Sequence, residues 1–480
     1  MTAEDPSDAF EDMYARFDAE RDGPVVRSRK TSDDFAGLAE LIARGQAEQD
    51  RRLARSQDPD VVAATRRSRR RRRIVAASVV GVVIAIVATF IPLALNAPTA
   101  AATVQISRST TIAPGAAVVL AIPGVGESAL SVTGSPQFEA LTGTKEIVAS
   151  GGGDGAKPMA SISKLITALV VLQAKPVGAT DTGPTITFSK ADADLYDKYY
   201  AMEASIAKMN TGSTMSLRDA LTTMLVASAC NYAEAVSTWA FGNQANFLAA
   251  TRKWLAANGL SKTKMVEPTG ISPNNVSTPT EMIAIGKLAM ANPLIASIVG
   301  MSNAFVANIG TVTNTNDLLG VAGINGIKTG TLGGSNLLFS AHVPVAGVTA
   351  PLTVVGVVLG GDDRASVDSA TTSLISSVES GFHTQELTRR GDVFGTVSTP
   401  WEEKATVVAG ESASMLTWSN TPITSTIKVG RITAAKSGKK VGTVTYSAGT
   451  AKVVVPLVLK GSITGPDDWW KLTHAFGAGQ

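Results

Sequence analysis

A serine and a lysine three residues apart carry the first chemistry this chain offers. Residues 157–170 read Lys-Pro-Met-Ala-Ser-Ile-Ser-Lys-Leu-Ile-Thr-Ala-Leu-Val. Apolar residues recur at Ile162, Leu165, Ile166, Leu169 and Val170, the spacing of one buried helix face, and Pro158 suits a helix start. Ser161 and Lys164 therefore sit on neighbouring turns of one face. A lysine among apolar neighbours is poorly solvated, which favours its neutral, basic form. A neutral amine beside a hydroxyl is one way to make a serine nucleophile without histidine. Ser-x-x-Lys also begins at Ser205, Ser261, Ser425 and Ser437. Only Ser161 combines the motif with an apolar helix and two suitable partners downstream.

The first partner is Ser228-Ala-Cys230-Asn-Tyr232, at the expected end of a helix over 217–225. The second is Lys328-Thr329-Gly330-Thr331, read as strand, where a period of two puts Lys328 and Gly330 on one face. Gly330 has no side chain to keep a peptide off the backbone. A cation at Lys328 can hold a carboxylate or lower the pKa of a nearby amine. An extended peptide can pair with this strand if it is an edge. His342, His383 and His474 follow no ligand spacing, so neither a metal nor a cofactor is expected. Cys230 is the one cysteine, which excludes an intramolecular disulfide.

The elements that must position these residues come late in the chain. Residues 1–73 are acidic at first and Arg-rich at the end, and read as largely disordered and cytoplasmic, with a polar helix over 33–55. Seven Arg stand between Arg66 and Arg73. The uncharged run 74–95 follows, about 33 Å long as a helix and matched to a bilayer core. The positive-inside rule then places everything after Leu95 outside the cell. A net charge of +3 is too small to argue for nucleic acid, and the neighbouring apolar run reads the Arg cluster as a membrane flank. The span reads as an uncleaved anchor, because a signal peptide would need an n-region of over 70 residues.

Residues 96–115 read as a tether. The stretch 116–385 reads as an α+β domain. It has strands over 117–122, 129–132, 145–148, 184–188, 337–343 and 352–359, and helices over 244–255, 278–290 and 365–380. A capping box is expected at Thr278-Pro-Thr-Glu281. Residues 386–480 read as a small β domain, onto which Trp469 and Trp470 are expected to pack.

The set Ser161-x-x-Lys164, Ser228-x-Cys230, Lys328-Thr329-Gly330 resembles the penicillin-recognising serine enzymes. Its flanks resemble the low-molecular-mass penicillin-binding proteins, the D-alanyl-D-alanine carboxypeptidases, over about 105–385, and the tail around Trp469-Trp470 looks actinobacterial. The resemblance implies a penicillin-binding, serine β-lactamase-like transpeptidase fold, an antiparallel sheet flanked by helices. It implies Ser161 as nucleophile, Lys164 as base and Ser228 as proton relay. Lys328 and Thr329 would hold the substrate carboxylate, with Cys230 and Gly330 also lining the site. The N–H groups of Ser161 and Thr331 would form an oxyanion hole. The implied partners are peptidoglycan stem peptides ending in D-Ala-D-Ala, β-lactams as inhibitors, and the membrane through 74–95. Cys230 departs from the family, which usually places Asn there. Two other readings share the scaffold: a β-lactamase, which needs a deacylating glutamate, and a non-catalytic wall-binding module.

Overall fold

Residues 34–57, 59–108 and 111–475 are described in the computed structural model of the chain. They form two units, one of residues 34–98 with 468–475 and the other of residues 99–467. The expectation of disorder over the first thirty or so residues lies outside the described ones.

The first unit is helical. Asp34–Gln57 is a polar helix close to the expected bounds. Pro59–Leu95 is one helix of 37 residues, so the Arg run and the apolar run are continuous. Within it, Arg70–Leu95 is long and apolar enough to cross a membrane. Its side chains, Val75 and Ile84 among them, are exposed. Asp468–Thr473 is a short helix that packs on this long one. Trp469 is 74 % exposed there, which corrects the expected burial. Trp470 stacks on His474 one turn later, with ring centroids 4.5 Å apart.

Two sheets organise the second unit. The first has five antiparallel strands in the order Ile324–Thr331, Ser335–Val343, Leu352–Gly361, Glu127–Thr133, Glu146–Gly151. Apolar residues on both faces bury it. Arg364–Ser380 covers one face through Val367, Leu374, Ile375 and Val378, against Leu130, Phe339 and Val354. Pro279–Ala291 lies across the other face, and the helix Ser163–Ala174 shares that core. Gly356 faces Phe339 across the ladder, and a Cβ there would meet the ring at 2.2 Å.

Two local readings need correction. Residues 117–122 are not a strand. Two of their backbone donors are met by side chains instead, Val118 N–H by Ser419 Oγ at 3.0 Å and Ala121 N–H by Ser377 Oγ at 2.9 Å. At Thr278 the N-cap forms, with Glu281 N–H donating to Thr278 Oγ1. The Glu281 carboxylate turns away to Lys262 N–H and Thr263 Oγ1, so the reciprocal half of the box is missing.

The second sheet has seven strands in the order Thr103–Ile106, Val393–Ser398, Lys404–Ala409, Ala451–Lys460, Lys440–Ala448, Ile423–Val429, Thr111–Ile112. Both outer strands come from the stretch expected as a tether. Alternation of Val104 and Ile112 with polar neighbours lets this segment join the core of Val397, Val444 and Leu457. Arg108 fastens it, with a 2.7 Å ion pair to Asp392 and its guanidinium 4.8 Å from the centre of the Phe394 ring.

Candidate active site

Helix geometry sets the first contact. Ala160–Ile162 is a short 3-10 turn that runs into Ser163–Ala174. Lys164, fully buried, brings Nζ to 2.9 Å from Ser161 Oγ. Two further acceptors surround that nitrogen, the Thr269 carbonyl at 2.7 Å and Cys230 Sγ at 3.3 Å. A carbonyl can only accept, so it takes an N–H of the amine. A neutral amine can give its second N–H to sulfur and turn its lone pair to the serine hydroxyl. After taking the serine proton, the ammonium has three N–H groups for three neighbours.

The loop that supplies the Thr269 carbonyl is built around Glu267. One carboxylate oxygen accepts from Thr269 N–H and Thr269 Oγ1, each at 2.6 Å. The other accepts from Gly270 N–H at 2.7 Å and Asn275 Nδ2 at 2.9 Å. Gly270, at φ +84°, touches the backbone of Ala160, where a Cβ would lie 1.8 Å from the carbonyl oxygen. Only glycine meets both the left-handed angle and that approach. Asn275 also passes its backbone carbonyl to Met159 N–H at 2.8 Å, fixing the turn ahead of Ser161.

Ser228 and Cys230 stand where one helix ends at Val226 and the next begins at Cys230. Ser228 is buried, with φ +58°. Cys230 is buried and faces Lys164. Asn231 points elsewhere, with Nδ2 donating to Ala207 O at 2.8 Å and Oδ1 accepting from Ala207 N–H at 3.2 Å. Cys230, not Asn231, is therefore the side chain presented to the amine.

Ile324–Thr331 is the edge of the five-stranded sheet. Lys328 is 1 % exposed and donates to Thr315 Oγ1 and to Thr329 O, each at 3.3 Å. The Thr315 and Thr329 hydroxyls share a 2.6 Å bond. Burial lowers the Lys328 pKa well below the ordinary lysine value, and the charge of Lys164 lowers it further. Gly330 closes the arrangement, since a Cβ there would lie 3.1 Å from Ser161 N and 2.9 Å from Ala160 Cβ. Thr331, next along, is exposed. The edge strand thus meets the serine turn at Gly330, and Lys164 is near enough to act on the charge of Lys328.

The sequence reading missed Glu267 as a loop anchor and Thr315 as a neighbour of Lys328. Asn336 was missed too; it donates to Pro158 O at 2.9 Å and accepts from Gly360 N–H at 2.7 Å, tying the sheet to the nucleophile turn. The Asn314-Thr-Asn316 triplet was the one signal available for Thr315.

The five-stranded sheet with its helical layers is the fold of the penicillin-binding class of serine peptidases. Residues 140–362 match the family model described as D-alanyl-D-alanine carboxypeptidase. Over that stretch, a little under half of its length, the chain is similar to this family. It is 27 % identical over 194 residues to the D-alanyl-D-alanine endopeptidase of Escherichia coli, matching 38 % of this chain and 59 % of that protein. The endopeptidase of Pseudomonas aeruginosa is 28 % identical over 160 residues, 32 % of this chain and 46 % of that one. The chain thus spans less than two thirds of either relative. Among solved structures, penicillin binding protein 5 from Haemophilus influenzae superposes with a TM-score of 0.47 at 18 % identity, covering 72 % of this chain and 99 % of that one. The peptidoglycan synthesis regulatory factor from Streptococcus pneumoniae gives 0.46 at 20 % identity, covering 71 % and 100 %.

Proposed function

We propose that this protein is a membrane-anchored, extracytoplasmic D-alanyl-D-alanine carboxypeptidase that trims peptidoglycan stem peptides through an acyl-enzyme at Ser161. The observation that carries it is the buried Lys164 amine 2.9 Å from the Ser161 hydroxyl. Lys164 takes the hydroxyl proton as Ser161 Oγ attacks the carbonyl between the two D-Ala residues. The C–N bond breaks, the leaving amine receives a proton through Ser228, and free D-Ala departs. Water then cleaves the Ser161 ester and regenerates the hydroxyl. The substrate lies extended along the edge strand, its carboxylate toward Lys328 and Thr329 and its scissile carbonyl toward the N–H groups of Ser161 and Thr331. Removing one such donor typically costs about 3 kcal/mol of transition-state stabilisation.

Glu267 argues against a β-lactamase, because its carboxylate is already occupied by Thr269, Gly270 and Asn275. The names of the two relatives favour a second reading, hydrolysis of D-Ala bonds within cross-links. Anchoring rests on the exposed apolar helix Arg70–Leu95 and the Arg run that precedes the apolar residues.

The test uses the full chain, with a pentapeptide ending in D-Ala-D-Ala and a cross-linked dimer as rival substrates. Free D-Ala from the pentapeptide and lasting penicillin labelling are expected. Ser161→Ala should remove both, a loss on the order of 10⁴-fold or more. Undiminished D-Ala release by that variant would defeat the assignment, and cleavage of the dimer alone would favour the endopeptidase.

A further inference from the structure

Charge is unevenly spread over the C-terminal sheet. Residues 412–466 contain seven Lys or Arg and no Asp or Glu. Strand register gathers six of the seven at one end. Val429 pairs with Gly442, so Lys428, Arg431, Lys436, Lys439 and Lys440 surround one turn between neighbouring strands. Lys440 pairs with Val458, which brings Lys460 beside them. All six are exposed. The seventh, Lys452, pairs with Ser447 at the opposite end. Lys404 adds a cation beside Lys460. The nearby carboxylates are Glu402, Glu403 and Asp467, and Glu403 is already bonded to Thr464 N–H and Trp401 Nε1.

The chain enters and leaves at this same end. Ala102 N–H donates to Ile432 O at 2.8 Å, and Arg431 Nη2 donates to Thr99 O at 3.1 Å. Thr99 lies four residues on from Leu95, the last of the long helix, a reach of at most about 14 Å for extended chain. After Lys460 the chain runs through 461–467 into the short helix that packs on the long one. A groove of about 880 Å³, lined by Gln105, Val397, Lys404 and Lys460, opens beside the entering strand.

We propose that the basic end of the C-terminal sheet docks on anionic phospholipid headgroups, at the outer face of the membrane that the apolar helix spans. The proposal rests on reading 74–95 as a membrane span. Like-signed cations clustered at both chain crossings match an anionic leaflet, and polybasic attraction acts within about a Debye length of the surface. The opposite end of the sheet meets the catalytic half, where Thr450 N–H donates to Ala140 O at 3.3 Å. Ala451–Lys460 joins the two ends in ten residues, about 33 Å of strand. The sheet is then a spacer with one end on lipid and the other carrying the peptidase.

Full-length chain in nanodiscs tests this by hydrogen exchange, with phosphatidylcholine discs compared against discs that also contain phosphatidylglycerol. Peptides covering 428–442 and 460–466 should exchange more slowly in the anionic discs. The protection should fade at high salt and disappear in Lys436→Glu/Lys439→Glu/Lys440→Glu, each lost cation lowering the docking equilibrium constant roughly fivefold. Unchanged exchange in peptides of the sheet core shows that this variant is folded. Retention in both kinds of disc with equal exchange overturns the docking and leaves the span intact. Failure to be retained in either disc overturns the span and the docking together. Protection by added poly(glycerol phosphate) in neutral discs, with no effect of anionic lipid, overturns the lipid assignment in favour of an anionic wall polymer.

Discussion

Lysine is used in opposite ways in the two sheet-based parts of residues 99–467. At the candidate site, Lys164 and Lys328 are 0 % and 1 % exposed, and each meets two or three acceptors. At the end of the C-terminal sheet, Lys436, Lys439 and Lys440 are exposed around a turn. Water screens the exposed set, so each cation adds only to a diffuse field. Protein surrounds the buried pair, so neither is screened by water, and burial lowers the pKa of Lys328. The same side chain is a buried hydrogen-bonding group in one place and a surface charge in the other, and solvent access makes the difference.

Four variants would break or sharpen that contrast. Lys164→Ala should have the largest effect, lowering penicillin acylation by about 10²–10⁴-fold as the base is lost. A rate near that of the native chain would remove Lys164 from the chemistry.

Lys328→Met should raise KM for a peptide with a free terminal carboxylate and lower kcat/KM roughly tenfold to a hundredfold. It should also stabilise the fold at neutral pH. The folded pKa of Lys328 lies below its ordinary value of 10.5, so between the two the unfolded chain holds a proton that the folded chain lacks. Native stability therefore rises with pH across that window. The advantage of the Met variant, followed by thermal melts, should shrink as pH climbs toward 10.5. An advantage that does not vary with pH would mean that Lys328 is not held against its charge.

Cys230→Ala should cost less than about tenfold in acylation, because sulfur is a weak partner for the amine. A larger loss would make the thiol part of the proton path. The triple Glu variant at the basic end should leave hydrolysis of a soluble pentapeptide within about twofold of native, as surface changes usually do. A large change there would show that the two sets of lysines are coupled.

Legibility followed the range of the interaction. Ser161 and Lys164 were readable because i and i+3 share a helix face whatever the rest of the chain does. Lys328 and Gly330 were readable from strand alternation, and 74–95 was readable as a long apolar helix from its composition. The choice between Cys230 and Asn231 could be argued from flanking residues, but their contacts could not. One meets an amine 66 residues away in sequence, and the other clamps a loop 24 residues away. Residues 103–106 looked like tether because four residues carry almost no periodic signal. They are strand only because Val393–Ser398 offers an open edge.

By itself, then, the sequence determined which residues share a face, which stretch is long and apolar, and which side chains carry a hydroxyl, a thiol or an amine. These depend on repeat geometry and on the nature of each side chain. Tertiary structure alone decided that the Thr269 carbonyl reaches Lys164, that Glu267 is consumed in holding that loop, and that six scattered cations share one end of a sheet. Each of those outcomes depends on packing between segments far apart in the chain. Buried polar groups take whichever partners the fold brings within hydrogen-bond reach.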